Sequence, residues 1–137
     1  MKYEKIKLYT DGGARGNPGP AGIGAVILNE KGSVIAEISE YIGETTNNQA
    51  EYKALIAGLA KAKEFGAREL DVFLDSELVV KQLNREYKVK DKGLAPLFVQ
   101  AYNISLGFKK IVFKHIPREK NKLADELVNQ ALDKAGK

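Results

Sequence analysis

Along the first ten residues Ile6, Leu8 and Thr10 alternate with Lys7 and Tyr9. That two-residue period predicts a half-buried strand ending at Asp11. From Gly12 to Gly22 the chain is rich in glycine and contains Asn17-Pro18-Gly19-Pro20, which reads as a turn that neither a helix nor a central strand can run through. The apolar run Ile23 to Leu28 predicts a second strand, and Asn29-Glu30-Lys31-Gly32 a turn. Val34, Ala36 and Ile38, alternating with Ile35, Glu37 and Ser39, predict a third strand. Links this short make the three an antiparallel meander.

The period then changes. Ala50, Ala54 and Ala57, with Leu55, Leu59 and Ala62, form a helical stripe that ends near Gly66. Asn48-Gln49-Ala50-Glu51 has the form of a capping box with Glu51 at its third helical position. Leu70, Val72 and Leu74 predict a fourth strand ending at Asp75, and Ser76 is placed to cap a short helix through Leu83. Tyr87 to Gly93 is a polar, lysine-rich linker. Pro96 suits the first turn of a helix reaching about Leu106. Ile111 to Ile116 predicts a fifth strand closed by Pro117. Asn121 is placed to cap a last helix that buries Ala124, Leu127, Val128, Ala131 and Ala135. The order βββαβααβα implies an α/β fold: a five-stranded mixed sheet, in which an antiparallel meander is joined by two parallel strands and flanked by helices.

Composition narrows the chemistry. The 137 residues suit one domain, and 44% hydrophobic with 29% charged residues excludes a disordered chain. Cysteine is absent, which excludes disulfides and thiolate metal sites, and His115 is the lone histidine. A bound metal would therefore be held by oxygen, which favours Mg²⁺ or Mn²⁺. The net charge of +4 suits a polyanionic partner. Met1 to Lys7 is charged and lacks the apolar core of a secretion signal, so the expected location is the cytoplasm.

Four acids occupy special places. Asp11 and Asp75 end strands that are expected to be parallel neighbours, so they should emerge at the same sheet edge, where open α/β sheets bind ligands. Glu51 and Asp125 fall in the first turns of helices. Each has a structural explanation by itself: a capping box for Glu51, the helix dipole for Asp125, turn chemistry for Asp11 and Asp75. Together they would repel one another and resist ionising, unless a cation removed the conflict.

The segments Tyr9-Thr10-Asp11-Gly12-Gly13, Gly16-Asn17-Pro18-Gly19-Pro20, Thr45-Thr46-Asn47-Asn48-Gln49-Ala50-Glu51, Asp75-Ser76 and Asn121-Lys122-Leu123-Ala124-Asp125-Glu126-Leu127 resemble type 1 ribonuclease H, in that family's order and over essentially the whole chain. The resemblance implies the ribonuclease H-like fold, with Asp11, Glu51, Asp75 and Asp125 as catalytic metal ligands for Mg²⁺, for which Mn²⁺ can substitute. It further implies hydrolysis of the RNA strand of RNA–DNA hybrids by two metal ions, leaving 5′-phosphate and 3′-hydroxyl ends. Asn17, Asn47, Asn48 and Gln49 lie where the family contacts the hybrid in its minor groove, and Thr46 where it holds a DNA phosphate. A turn at Asn17 and helix capping by Thr46, Asn47 and Asn48 are the plainer alternatives. The chain is expected to act as a monomeric domain over residues 1–137.

Some positions depart from the family pattern. Lys81, Arg85, Lys88, Lys90 and Lys92 form a basic stretch, but the chain has no tryptophan. It resembles a compact form without the basic protrusion that some relatives use to grip the hybrid. Glu77 stands where many relatives have glutamine. The mobile-loop histidine of the family corresponds either to His115 or to nothing, in which case Arg118 could supply a cation near the leaving group. Two other classes compete: a resolvase- or integrase-like nuclease on the same fold, and a binding module that has lost catalysis.

Overall fold

The computed structural model describes residues 3–137. Among these the elements run β1 (Lys5–Ala14), β2 (Gly19–Leu28), β3 (Val34–Thr45), α1 (Asn47–Glu64), β4 (Glu69–Leu74), α2 (Glu77–Leu83), α3 (Ala95–Ser105), β5 (Lys110–His115) and α4 (Lys122–Lys134), in the order the hydrophobic pattern predicts. The sheet order is β3-β2-β1-β4-β5. β1 and β3 each pair antiparallel with β2, while β4 pairs parallel with β1 and β5. No helix among the described residues is long and apolar enough to cross a membrane.

One face of the sheet carries the main core. Leu8, Ile27, Val72 and Leu74 point into it, and Tyr52, Leu55 and Leu59 of α1 meet them, all fully buried. α3 seals this layer through Ala101 and α2 through Val79 and Val80. α4 covers the opposite face over β1, β2 and β3, packing Ala124 and Leu127 on Val26. Asn84, just beyond α2, donates its side-chain amide to the Phe113 carbonyl of β5 at 3.2 Å.

The glycine-rich stretch is where the observed strands depart most from the pattern. β1 runs on through Gly12, Gly13 and Ala14, paired with Ile23, Gly22 and Ala21, and only Arg15 to Pro18 form the loop. Here glycine serves close packing. A Cβ on Gly12 would stand 2.2 Å from the Ala50 carbonyl oxygen of α1, and one on Gly24 2.3 Å from that of Ala124 in α4. Both helices settle on the sheet at contact distances that any side chain would block.

Two smaller corrections concern helices. α1 is capped by Thr46, whose hydroxyl accepts from the Gln49 amide at 3.2 Å, so Glu51 lies beyond the capping box expected for it. In α4 Leu132 is buried where the periodicity favoured Ala135, which is the exposed C-cap. β3 extends to Thr45; as a largely exposed edge strand with a register shift opposite Ala21 and Gly22, it lacks clean alternation over its second half.

Candidate active site

Asp11 and Asp75 reach the same edge by the parallel pairing of β1 with β4. The last paired step is Thr10 opposite Leu74, so the next residues, Asp11 and Asp75, leave the ladder side by side. Glu51 arrives from α1 through the gap that Gly12 provides, and its Oε1 accepts the Gly12 amide at 3.1 Å. Each of the three offers a carboxylate oxygen within 4.8 Å of the other two. Asp11 and Glu51 are 7% and 6% exposed, and Glu51 Oε2 is a buried acceptor without a protein donor.

Burial sets the electrostatics. Desolvation pushes the Asp11 carboxyl up from 3.8 to about 7; Glu51 hydrogen-bonds it and partly offsets this, while Asp75 and Asp125 add repulsion. Glu51 is held well above the ordinary range by burial first and then by Asp11. Crowded, desolvated carboxylates of this kind favour a compensating positive charge, and an all-oxygen donor set with an unsatisfied buried acceptor fits a hard divalent ion.

Asp125 stands at the rim, in the first turn of α4. Its charge adds to the repulsion on Asp11, and its Oδ1 is 3.8 Å from Arg118 Nη2. The cleft above the acids is lined by Gly13, Ala14, Arg15, Asn47, Asn48, Ser76 and Arg118, with Asn129 on the α4 side. Arg15 crosses the cleft wall to Asp133 at 2.9 Å.

The other expected residues divide into two groups. Asn17 Oδ1 accepts the Asn47 amide at 3.0 Å, and Asn47 Oδ1 accepts the Ala14 amide at 2.8 Å. These bonds tie the loop after β1 to the start of α1, while Asn48 is exposed beside them. Gln49 is hydrogen-bonded to the Thr45 hydroxyl and packs beside Gly93. Glu77 is paired with Lys81 at 3.3 Å, one turn along α2, and does not line the cleft. Lys81 and Arg85 lie over the rings of Tyr87 and Tyr102, whereas Lys88, Lys90 and Lys92 are exposed on a linker with no helix between residues 84 and 94. His115 is the exposed last residue of β5, opposite Leu74, and does not line the cleft; Arg118 does.

One site residue has a use that local reading does not give it. Asn121 heads α4, but its side chain makes no cap hydrogen bond. It is 2% exposed and donates to the Thr10 carbonyl at 2.8 Å and to Asp75 Oδ2 at 3.1 Å. An asparagine before a helix is so common as a cap that the sequence offers no sign of this second use.

Comparison with known proteins agrees with this geometry. A family described as reverse transcriptase-like matches residues 9–131. A bifunctional protein of Mycobacterium tuberculosis is 47% identical over 96% of the chain, which spans only 36% of that protein's length. Ribonuclease H of Pseudomonas putida is 37% identical over 95% of both chains. The crystal structure of LC11-RNase H1 in complex with an RNA/DNA hybrid superposes with a TM-score of 0.91 at 54% identity, over 96% of this chain and 99% of that one.

Proposed function

The chain belongs to the type 1 ribonuclease H family, and from that premise we propose that it is an endoribonuclease hydrolysing the RNA strand of RNA–DNA hybrids. The observation that carries this reading is the convergence of Asp11, Glu51 and Asp75 on one spot with a buried carboxylate oxygen left without a donor. When bound, two divalent ions (Mg²⁺, with Mn²⁺ as a substitute) would activate the attacking water and stabilise the departing 3′ oxygen.

Asp11, Glu51 and Asp75 hold the cations, and Asp125 completes the set from the rim. Arg118, beside Asp125, offers a cation to the charge that develops as the phosphorus–oxygen bond breaks. Water adds to phosphorus, the 3′ oxygen leaves as a hydroxyl, and the phosphate stays on the 5′ end. Asn17 and Asn47 spend their oxygens on the backbone, which leaves their amide N–H₂ groups to face the strands. With Asn48 and Gln49 they read 2′-hydroxyls in the minor groove. Thr46, whose hydroxyl accepts the Gln49 amide and keeps its own hydrogen to donate, receives a phosphate of the DNA strand. We take the active unit to be one domain over residues 1–137, working as a monomer in the cytoplasm.

The test is a substrate panel of RNA–DNA hybrid, duplex RNA, duplex DNA and single strands, each with Mg²⁺, Mn²⁺ or chelator. Metal-dependent cutting of the RNA strand of the hybrid is expected, leaving 5′-phosphate ends. Cleavage of DNA instead would point to a resolvase-like enzyme. Hybrid binding without cleavage would point to a non-catalytic module.

A further inference from the structure

We propose that Asn121 is a positioning residue, which fixes Asp75 relative to Asp11 and thereby sets the affinity of the carboxylate cluster for divalent cations. The inference rests on the reading that Asp75 is a metal ligand.

Three segments of the chain meet at this one residue. The ladder between β1 and β4 stops at Thr10 opposite Leu74; Asp11 is still paired with Gly24 of β2, but Asp75 lies beyond the end of β4 and no strand pairing holds it. Asn121 takes up the Thr10 carbonyl at that point and reaches across to Asp75 Oδ2. Its own carbonyl accepts the Asp125 amide at 3.1 Å, so the same residue also seats the turn bearing the fourth acid.

The chemistry of the group is specific. Both partners are acceptors, so the amide nitrogen must face them, and this fixes the orientation of the side chain. A primary amide supplies two N–H groups from one short, uncharged side chain. Aspartate would present an oxygen to two oxygens; serine could serve one partner only. The bond to Asp75 Oδ2 restrains the rotation of that carboxylate. Asn121 Oδ1 has no protein donor, so nothing on the oxygen side would hold the group if the nitrogen bonds were lost.

The test uses the metal-stripped full chain without nucleic acid. Mn²⁺ binding is measured by calorimetry for the parent, Asn121→Ala, Asn121→Ser, Asp75→Asn and the Asn121→Ala/Asp75→Asn double variant. Urea unfolding in chelator is followed in parallel. Serine is included because it suits a helix start better than alanine and so secures folding. Both Asn121 variants should fold and bind Mn²⁺ roughly tenfold to a hundredfold more weakly, the range found when partners of metal ligands are removed. On the Asp75→Asn background the further loss should be less than about twofold, because the partner is already gone. Parent-like Mn²⁺ affinity in a folded Asn121 variant overturns the proposal, as does a fully additive loss. Failure of both Asn121 variants to fold overturns it as well, in favour of a purely architectural role. If Asp75→Asn itself binds Mn²⁺ as the parent does, it is the metal reading that fails, and this inference falls with it.

Discussion

Replacing Asp11 by asparagine should stabilise the metal-free protein, although it removes a residue assigned to the active centre. Asp11 is raised from 3.8 to about 7. A gap of about 3 pH units at about 1.4 kcal/mol each corresponds to roughly 4 kcal/mol. The sign follows from proton binding. The folded state holds this proton more tightly than the unfolded chain, so the contribution is complete below pH 3.8 and is lost as pH rises to about 7. Glu51 is raised as well and hydrogen-bonds Asp11, so part of the effect belongs to the pair and survives in the variant. In chelator, the advantage of Asp11→Asn over the parent should therefore be near zero at pH 4 and grow to between ~1 and ~4 kcal/mol at pH 8. For a chain of this length that is a rise in Tm of roughly 3 to 14 °C. Urea unfolding followed by circular dichroism at several pH values measures it directly. Mg²⁺ should then stabilise the parent and not the variant, because only the parent retains the full cluster. A variant less stable than the parent at pH 8, or an advantage that does not grow with pH, would refute the crowding on which the site reading depends.

Other outcomes test the surrounding structure. Gly12→Ala should cost about 3 kcal/mol or more in denaturant unfolding, because its Cβ would meet the Ala50 carbonyl at 2.2 Å. Gly13→Ala, whose nearest neighbour is Val128 at 3.9 Å, should stay within about 0.5 kcal/mol of the parent. Thr46→Ala should lose about 1 kcal/mol with the cap of α1, and a neutral result would show that the cap bond contributes nothing. Arg118→Ala should lower kcat roughly tenfold or more at unchanged Tm, whereas His115→Ala should stay within about twofold; single-turnover cleavage separates them, and the reverse ranking would return the role to His115.

The element order was legible in the sequence because it depends on local rules, and the meeting of Asp11, Glu51 and Asp75 was legible from strand-end placement together with the family resemblance. Alternation in β1 and β4, the apolar stripe of α4 and the Ser76 cap are set within a few residues, and strand-end acids follow from the βαβ geometry. What escaped a local reading arises where distant segments touch. Gly12 resembles a turn glycine, and Gly24 is one more residue of an apolar strand, until α1 and α4 lie on them; only then is the missing Cβ seen to admit a helix at each and allow β1 to continue. The cap of α1 fell to Thr46 because the helix begins one residue before the expected cap, which leaves Glu51 past the first turn and free to take the Gly12 amide across the sheet edge. His115 and Arg118 stand close in sequence, and only the turn after β5 decides which of them faces the acids. Asn121 is the extreme case. Its identity suits a helix start, but its partners lie 46 and 111 residues away in sequence. A hydrogen bond to a distant carbonyl leaves no periodic trace in the chain, so that choice belongs to the tertiary structure alone.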